Sequence, residues 1–373
     1  MSNKKRILIA ARWPVGGIRT YFRYIYSNKV FNEYSFTFIA PNSGDLKDFL
    51  GTYIKDLDYK FIETENSTID LLKKSLAELK TEKYDVIHSH GFTAAFAMVP
   101  VSKLTGIPHL MTAHDVFQAR QFEGYKGKIK KAIMSIAFQT IDQIHTVSVD
   151  GTDNLLAFFP KLKNEKITPI LHGVDTDNFY EANPFDLKSE LDEENVFVIG
   201  FFGRFMSQKG FRFLVDAVQK IIENTSPDAI KPMVLTFGWG GFVREDYEYV
   251  EQKGLKDFFK MMPHTDNMAA SLKGVDMVAM PSLWEACGLL GMEALTAGVP
   301  IVGTTCIGLR EVLEGSPAQM VEPRDSDALA QAIELEMKSS RRSEFAEYAK
   351  IAKKRFSLER PAQELKQLYD RMV

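Results

Sequence analysis

Short apolar runs rich in branched and aromatic residues recur along the chain, each followed by a longer stretch in which apolar residues return at helical spacing. This alternation limits the fold severely. A strand that is apolar at consecutive positions must be buried on both faces, and intervening helices provide that cover in a parallel sheet. The first half contains "RILIAA", "SFTFIA", "DVIHSH", "HLMTAH", "QIHTVS" and "KITPIL", separated by helical segments such as "STIDLLKKSLAELK". A second set follows at "VFVIGFFG", "PMVLTFG", "DFFKMMP", "DMVAMPS" and "GVPIVGT", with "FRFLVDAVQKIIEN" among the helices between them. The expected fold class is α/β, with two doubly wound domains facing each other across a cleft at the carboxyl ends of both sets of strands, where open sheets of this kind bind ligands. Chemistry is therefore expected just after strands.

A chain of 373 residues supports two such cores, at roughly 100 to 200 residues per domain. Gly173, Asp175, Asp177, Asn178 and Pro184 cluster without apolar periodicity in "HGVDTDNFYEANPFDL", which places the seam there. The expected boundaries are 1–175 for the first domain, 176–355 for the second, and 356–373 for an amphipathic helix, "LERPAQELKQLYDRMV", packing back on the first. No internal repeat or low-complexity tract interrupts this plan.

Composition excludes several classes. A net charge of -3 offers no general attraction to nucleic acid, so any anion must be met locally. Two cysteines, Cys287 and Cys306, make no disulfide framework and point to a reducing, cytoplasmic compartment. The apolar run near the start is cut short by Arg12 and reads as a first strand, not a signal peptide. No run of about eighteen apolar residues offers an ordinary membrane-spanning helix. Contact with a membrane surface remains open.

Three strand ends carry the chemical signals. Gly16 and Gly17, in "PVGGIRTY", allow close backbone approach and open a helix whose free N–H groups suit a phosphate. In "GRFMSQKG", Arg204 and Lys209 follow the first strand of the second half, and together a guanidinium fork and a mobile ammonium can hold a diphosphate without a metal. In "PSLWEACGLLGMEALTAG", a loop carrying Glu285 leads to a helix that starts near Gly288, with Glu293 further along it. Carboxylates repel phosphates, so these two glutamates suit the neutral hydroxyls of a sugar. The implied ligand carries both a diphosphate and a polyol.

Other residues are weaker signals. His88, His90 and His145 read individually as structural, whereas His114, beside Asp115, is placed to address a sugar hydroxyl. Asp175 and Asp177 form an Asp-x-Asp, but within the seam they read as turn chemistry through Asx bonding. Glu285 and Glu293 could also serve a glycoside hydrolase, although hydrolysis has no need of Arg204, Lys209 and a Gly-Gly phosphate turn.

Taken in order, "PVGGIRTY", "YDVIHSHG", "TAHD", "QIHTVS", "HGVDTDNF", "GRFMSQKG", "PSLWEACGLLGMEALTAGVPIV" and "GLREVLEG" resemble the retaining, metal-independent glycosyltransferases of family 4, whose twin Rossmann-like architecture is called GT-B. Glu285 and Glu293 match the glutamate-x7-glutamate signature of that family. The resemblance implies that Gly16 and Gly17 approach the distal phosphate, that Arg204 and Lys209 clamp the diphosphate, and that Glu293 holds the ribose hydroxyls. It further implies that Glu285 and the backbone of Cys287, Gly288, Leu289 and Leu290 meet the transferred sugar and phosphate, that His114 contacts that sugar, and that "MMPHTDN", with His264, lies where the base is read. The chain departs from the family at Ala286-Cys287-Gly288, where Gly-Phe-Gly is common, at Arg19, where many members have an acidic residue, and at Gln319, near a usual glycine-rich turn.

The implied activity is transfer of a sugar from a nucleoside-diphosphate sugar to a glycan, glycolipid or small hydroxyl acceptor, with no cofactor and no metal, in the manner of cell-envelope polysaccharide or glycolipid synthesis. Two other readings stand beside it: a nucleotide-sugar epimerase of the same fold, and a non-catalytic nucleotide-sugar-binding protein. The segment 120–138 carries Arg120, Lys126, Lys128, Lys130 and Lys131 ahead of apolar residues, a pattern shared by helices that rest on anionic membranes and by surface helices with one buried face.

Overall fold

The computed structural model describes residues 4–191, 195–224, 226 and 229–373. The chain divides into two compact units, Met1–His172 with Leu358–Val373 and Gly173–Ser357. In the first, strands β1 (Lys5–Ala11), β2 (Tyr34–Pro41), β3 (Asp58–Thr64), β4 (Val86–His90), β5 (His109–Ala113), β6 (Gln143–Thr146) and β7 (Ile167–Pro169) form one sheet in the order β3-β2-β1-β4-β5-β6-β7. In the second, β8 (Val196–Phe202), β9 (Lys231–Phe237), β10 (Phe259–Met261), β11 (Met277–Met280), β12 (Ile301–Thr304) and β13 (Gln319–Val321) are ordered β10-β9-β8-β11-β12-β13. All of these pairings are parallel. Both sheets are thus doubly wound, and each reverses direction once: between β1 and β4, and between β8 and β11.

The strands expected from the sequence are present, and burial explains why they are readable. All seven residues of β8, VFVIGFF, are buried, as a centrally placed parallel strand requires. In β1, Ile7 and Ile9 enter one core cluster while Leu8 and Ala10 enter another, the two-residue alternation of a strand covered on both faces. Two strands are not among those expected. β3 mixes charged residues into an edge position of the first sheet, and β13 is only three residues long at an edge of the second.

The helix Phe211–Asn224 buries Phe211, Leu214, Val215, Val218 and Ile221, the stripe that 3.6-residue periodicity predicts. The terminal helix Glu359–Met372 buries Ala362, Leu365, Leu368 and Tyr369 in the same cluster as Ile7 and Phe36, so the end of the chain completes the core of the first unit. Charged contacts hold its outer edge: the Asp370 carboxylate accepts from Tyr34 at 2.6 Å and from Lys5 at 2.9 Å. Where the chain enters and leaves the second unit, the Val174 N–H donates to the Phe356 carbonyl at 2.9 Å.

Candidate functional site

In the second unit the candidate residues Lys209 and Glu285 come together because β8 and β11 are neighbours at the point where the strand order reverses. The two loops beyond them interlock. Leu283 N–H donates to the Gln208 carbonyl at 2.8 Å, and the Gln208 side-chain amide donates to the Trp284 carbonyl at 2.8 Å. Gly210 has φ +67°, and a Cβ at that position would run into the Pro281 carbonyl. Only a glycine lets the loops approach this closely.

This interlocking brings Lys209 Nζ to 2.7 Å from Glu285 Oε1. Glu285 is buried, and the same oxygen accepts the Ser282 hydroxyl at 2.7 Å. Thr304, at the end of β12, fixes the loop by donating its hydroxyl to the Ser282 carbonyl at 2.5 Å. The Glu285 backbone is anchored too: its N–H donates to Ile307, and the Gly288 N–H donates to Gly308. Gly308, at φ +75°, packs directly against the Glu285 carbonyl.

Arg204 lies exposed two residues beyond the end of β8. The helix Leu289–Ala297 starts after Gly288 with no side-chain cap; the Leu289 N–H donates to the Cys287 carbonyl at 2.8 Å and the Gly291 N–H to the Gly288 carbonyl at 2.9 Å, and the positive end of the helix dipole lies at this start. Cys287, Leu289, Leu290 and Glu293 are all partly buried around that start. An ammonium, a guanidinium and a helix start thus occupy the carboxyl edge of two adjacent strands, with carboxylates beside them. His264 sits apart, exposed in the loop after β10 and 3.2 Å from Asp266. No thiolate nucleophile is on offer from Cys306, whose thiol burial pushes up to about 12, with the Glu285 charge acting in the same direction.

In the first unit, Gly16 takes φ 56° and precedes the helix Gly17–Tyr26, as expected of a glycine turn after β1. Arg19 does not project freely. Its guanidinium donates to the Gly44 carbonyl and lies 4.2 Å over the Phe49 ring, tying this helix to the loop after β2. His114 follows the last residue of β5, and its Nε2 is 2.9 Å from His90 Nδ1 at the end of β4. His90 in turn contacts the Tyr26 hydroxyl at 3.1 Å. Burial, and then neighbouring histidines, hold the pKa values of His88, His90 and His114 well below the ordinary imidazole range, so these rings are neutral at pH 7.

Taken one at a time in the sequence, these histidines do not declare that they are a single cluster. Their spacing holds the clue: His88 and His90 are two apart, as are Thr112 and His114, so each pair shares one face of its strand. Tyr369 cannot be found in this way, since 281 residues separate it from His88.

Asp175 caps the short helix Thr176–Glu181 by accepting from the Asn178 N–H, and Asp177 pairs with Lys353 at 2.7 Å. The Asp175 cap is the turn chemistry expected of that pair, and the Asp177 ion pair is an addition to it. Among the described residues no three His, Cys, Asp or Glu side chains converge as metal ligands would.

Comparison with known proteins bears on the same regions. Residues 15–178 match the family described as "Glycosyltransferase Family 4" and residues 196–337 that described as "Glycosyl transferases group 1". The chain is 32% identical over 310 residues to a D-inositol 3-phosphate glycosyltransferase of Corynebacterium urealyticum, covering 77% of this chain and 71% of that one. It is 27% identical over 321 residues to a UDP-Gal:alpha-D-GlcNAc-diphosphoundecaprenol alpha-1,3-galactosyltransferase of Escherichia coli, covering 81% and 79%. Its fold matches HepE of Anabaena, solved in complex with UDP, with a TM-score of 0.81 at 20% identity over 98% of this chain and 99% of that one. At that identity the likeness concerns the fold.

Proposed function

This chain belongs to glycosyltransferase family 4, with the two Rossmann-like units of the GT-B class, and from that premise we propose that it transfers a sugar with retention of anomeric configuration and without a metal ion. The donor is a nucleoside-diphosphate sugar and the acceptor a hydroxyl of a glycan or glycolipid. One observation carries the reading: Lys209 and Glu285 are paired in the loops that lead to the start of the helix Leu289–Ala297.

Departure of a nucleoside diphosphate concentrates negative charge on its terminal phosphate. Preformed positive ends stabilise that charge as it develops, without reorganising at the moment of reaction. Lys209, Arg204 and the positive dipole end of the helix after Gly288 supply those ends. Glu285, already saturated on one oxygen by Lys209 and Ser282, keeps its second oxygen for a sugar hydroxyl. Glu293, on the same helix, takes the ribose hydroxyls, while Gly16, Gly17 and His114 contact the distal phosphate and the transferred sugar. The acceptor attacks the face that the leaving group vacates, and a phosphate oxygen takes its proton.

Relatives and one surface of the chain bear on the base and the acceptor. The Escherichia coli relative is named for UDP-Gal and a diphosphoundecaprenol acceptor, and HepE was solved with UDP, so uridine nucleotides and a lipid-linked acceptor are the first choices. On the helix Gly124–Thr140, Tyr125, Ile129, Ile133 and Ile136 form an outward stripe that is 79, 42, 60 and 66 % exposed, between exposed Lys126, Lys128 and Lys130. We assign this face to the anionic surface of a membrane that carries the acceptor. No described helix is long and apolar enough to cross a membrane. Screening UDP-, GDP- and ADP-sugars by thermal shift, then by turnover with and without a metal chelator, tests the proposal. A shift from one donor class with chelator-resistant turnover is expected, and turnover abolished by chelator would refute the metal-independent scheme.

A further inference from the structure

Seven contacts run in line from His114 into the core of the first unit: His114 Nε2 to His90 Nδ1 at 2.9 Å, His90 Nε2 to Tyr26 Oη at 3.1 Å, Tyr26 Oη to Tyr369 Oη at 3.1 Å, Tyr369 Oη to His88 Nδ1 at 2.6 Å, His88 Nε2 to Thr112 Oγ1 at 2.7 Å, Thr112 Oγ1 to His145 Nδ1 at 3.0 Å, and His145 Nε2 to the Ile170 carbonyl at 3.3 Å. Apart from His114 and Ile170, the groups along this line are side chains buried to 2 % exposure or less. Their proton positions can be assigned from the end that has no choice.

A carbonyl only accepts. Burial holds His145 neutral, with its pKa lowered to about 4, so its one proton sits on Nε2 and its Nδ1 must accept. Thr112 therefore donates its hydroxyl proton to His145 and accepts from His88 Nε2. Neutral His88 is then an acceptor at Nδ1. The Tyr369 hydroxyl is the nearer donor to that atom, at 2.6 Å against 3.1 Å for Tyr26. With its proton committed to His88, Tyr369 accepts from Tyr26, Tyr26 accepts from His90 Nε2, and His90 Nδ1 accepts from His114 Nε2. Every contact then holds one proton, and all the protons point the same way, the arrangement in which hydrogen bonds polarise one another favourably. Turning Tyr26 round to donate to His90 would leave its oxygen facing that of Tyr369 with no proton between them.

We propose that this relay locks His114 as the Nε2–H tautomer, so that its Nδ1 is a dedicated hydrogen-bond acceptor for a hydroxyl of the sugar, with His90, Tyr26 and Tyr369 as positioning residues. The ligand half of this statement rests on the assignment of His114 to the sugar. The tautomer does not. A lone pair at Nδ1 selects a neutral hydroxyl and disfavours a phosphate oxygen, so the site reads the sugar alcohol separately from the diphosphate. It also makes the packing of the terminal helix, through Tyr369, a condition for correct sugar recognition.

The test uses the full chain with ring-labelled histidine. Long-range proton–nitrogen correlation at pH 7.5, with the His114 signal identified by its loss in His114→Ala, is expected to show a neutral ring protonated on Nε2. A ring protonated on Nδ1, or a charged ring, overturns the proposal. Tyr26→Phe and Tyr369→Phe each remove one proton while keeping the ring. Both are expected to give mixed His114 tautomers, and to raise KM for the UDP-sugar that supports turnover by about three- to tenfold with a smaller change in kcat. Unchanged tautomers in two variants that keep a native circular dichroism spectrum would refute the relay. If the wild-type chain turns over no nucleotide sugar, the functional reading fails, and the ring spectra still decide the tautomer.

Discussion

Lys209 and Glu285 stand 76 residues apart in sequence and 2.7 Å apart in space. The pair has two consequences. It anchors a carboxylate that would otherwise be buried without charge compensation, and it holds an ammonium, only 23 % exposed, in one place before any phosphate arrives. Preorganisation of this kind separates a catalytic cation from a mobile surface lysine.

Substitution of the cations should therefore act on turnover. Lys209→Ala and Arg204→Ala are each expected to lower kcat/KM at least about tenfold, the consequence of losing a charge-assisted bond worth roughly 1.5 kcal/mol or more. Lys209→Ala should in addition destabilise the second unit, since among the described residues Glu285 would keep only Ser282 as a side-chain partner. Arg204→Ala, at an exposed position, should leave stability unchanged. Steady-state kinetics and thermal melts together separate the two effects, and native kinetics in both variants would dismiss the diphosphate clamp.

Gly308 is a backbone test of the same site. Its φ of +75° and its contact with the Glu285 carbonyl leave no room for a Cβ. Gly308→Ala combines a left-handed backbone cost of about 1–2 kcal/mol with a steric displacement of the Glu285 backbone. Activity should fall by more than stability alone accounts for. Gly315 offers the control, since it has a similar φ of +73° with nothing within 4 Å of where a Cβ would stand, so Gly315→Ala should lower the melting temperature without the excess loss of activity.

How much of this is legible in the sequence depends on whether the information is local. The strands β1, β8 and β11 announce themselves because burial on both faces forces uninterrupted apolar runs, whereas β3, at an edge, buries only Thr64 and carries exposed Asp58, Lys60 and Glu63. Arg204, Lys209, Glu285 and Glu293 can be found because each follows a readable strand. Their pairing cannot, for it depends on which strands become neighbours, and nothing in "GRFMSQKG" names its partner loop. The histidine relay is hidden more deeply, needing residues from three strands and from helices at both ends of the first unit.

That relay predicts an acid response confined to one unit. His88, His90, His109 and His145 are all buried, and burial, ahead of other causes, lowers their pKa values, to about 4 for His109 and His145. In the unfolded chain they titrate near 6.5. Above 6.5 neither state binds these protons and stability is complete. Between 6.5 and about 4 the unfolded state takes up protons that the native state refuses, so stability falls, by up to about 1.4 kcal/mol per pH unit for each histidine. Calorimetry at pH 7.5 and 5.5 should show the transition of the first unit moving down while that of the second, which holds none of these buried histidines, stays nearly fixed. Equal shifts in both transitions would contradict the argument.

The outward stripe on the helix Gly124–Thr140 gives the last prediction. Buried Gly127, Met134 and Phe138 already satisfy the inner face, so Tyr125, Ile129, Ile133 and Ile136 do nothing for the core. Removing them should cost no stability. If they meet lipid, with about 1 kcal/mol from each nearby cation, cosedimentation with anionic vesicles should be strong at low salt, weaken as salt screens the lysines, and be slight with neutral vesicles. Ile133→Glu combined with Ile136→Glu should abolish it while the melting temperature and the turnover of a soluble acceptor are retained. Binding that survives this double change would assign the contact to another face, and a wild-type chain that ignores anionic vesicles would exclude a membrane role for the stripe.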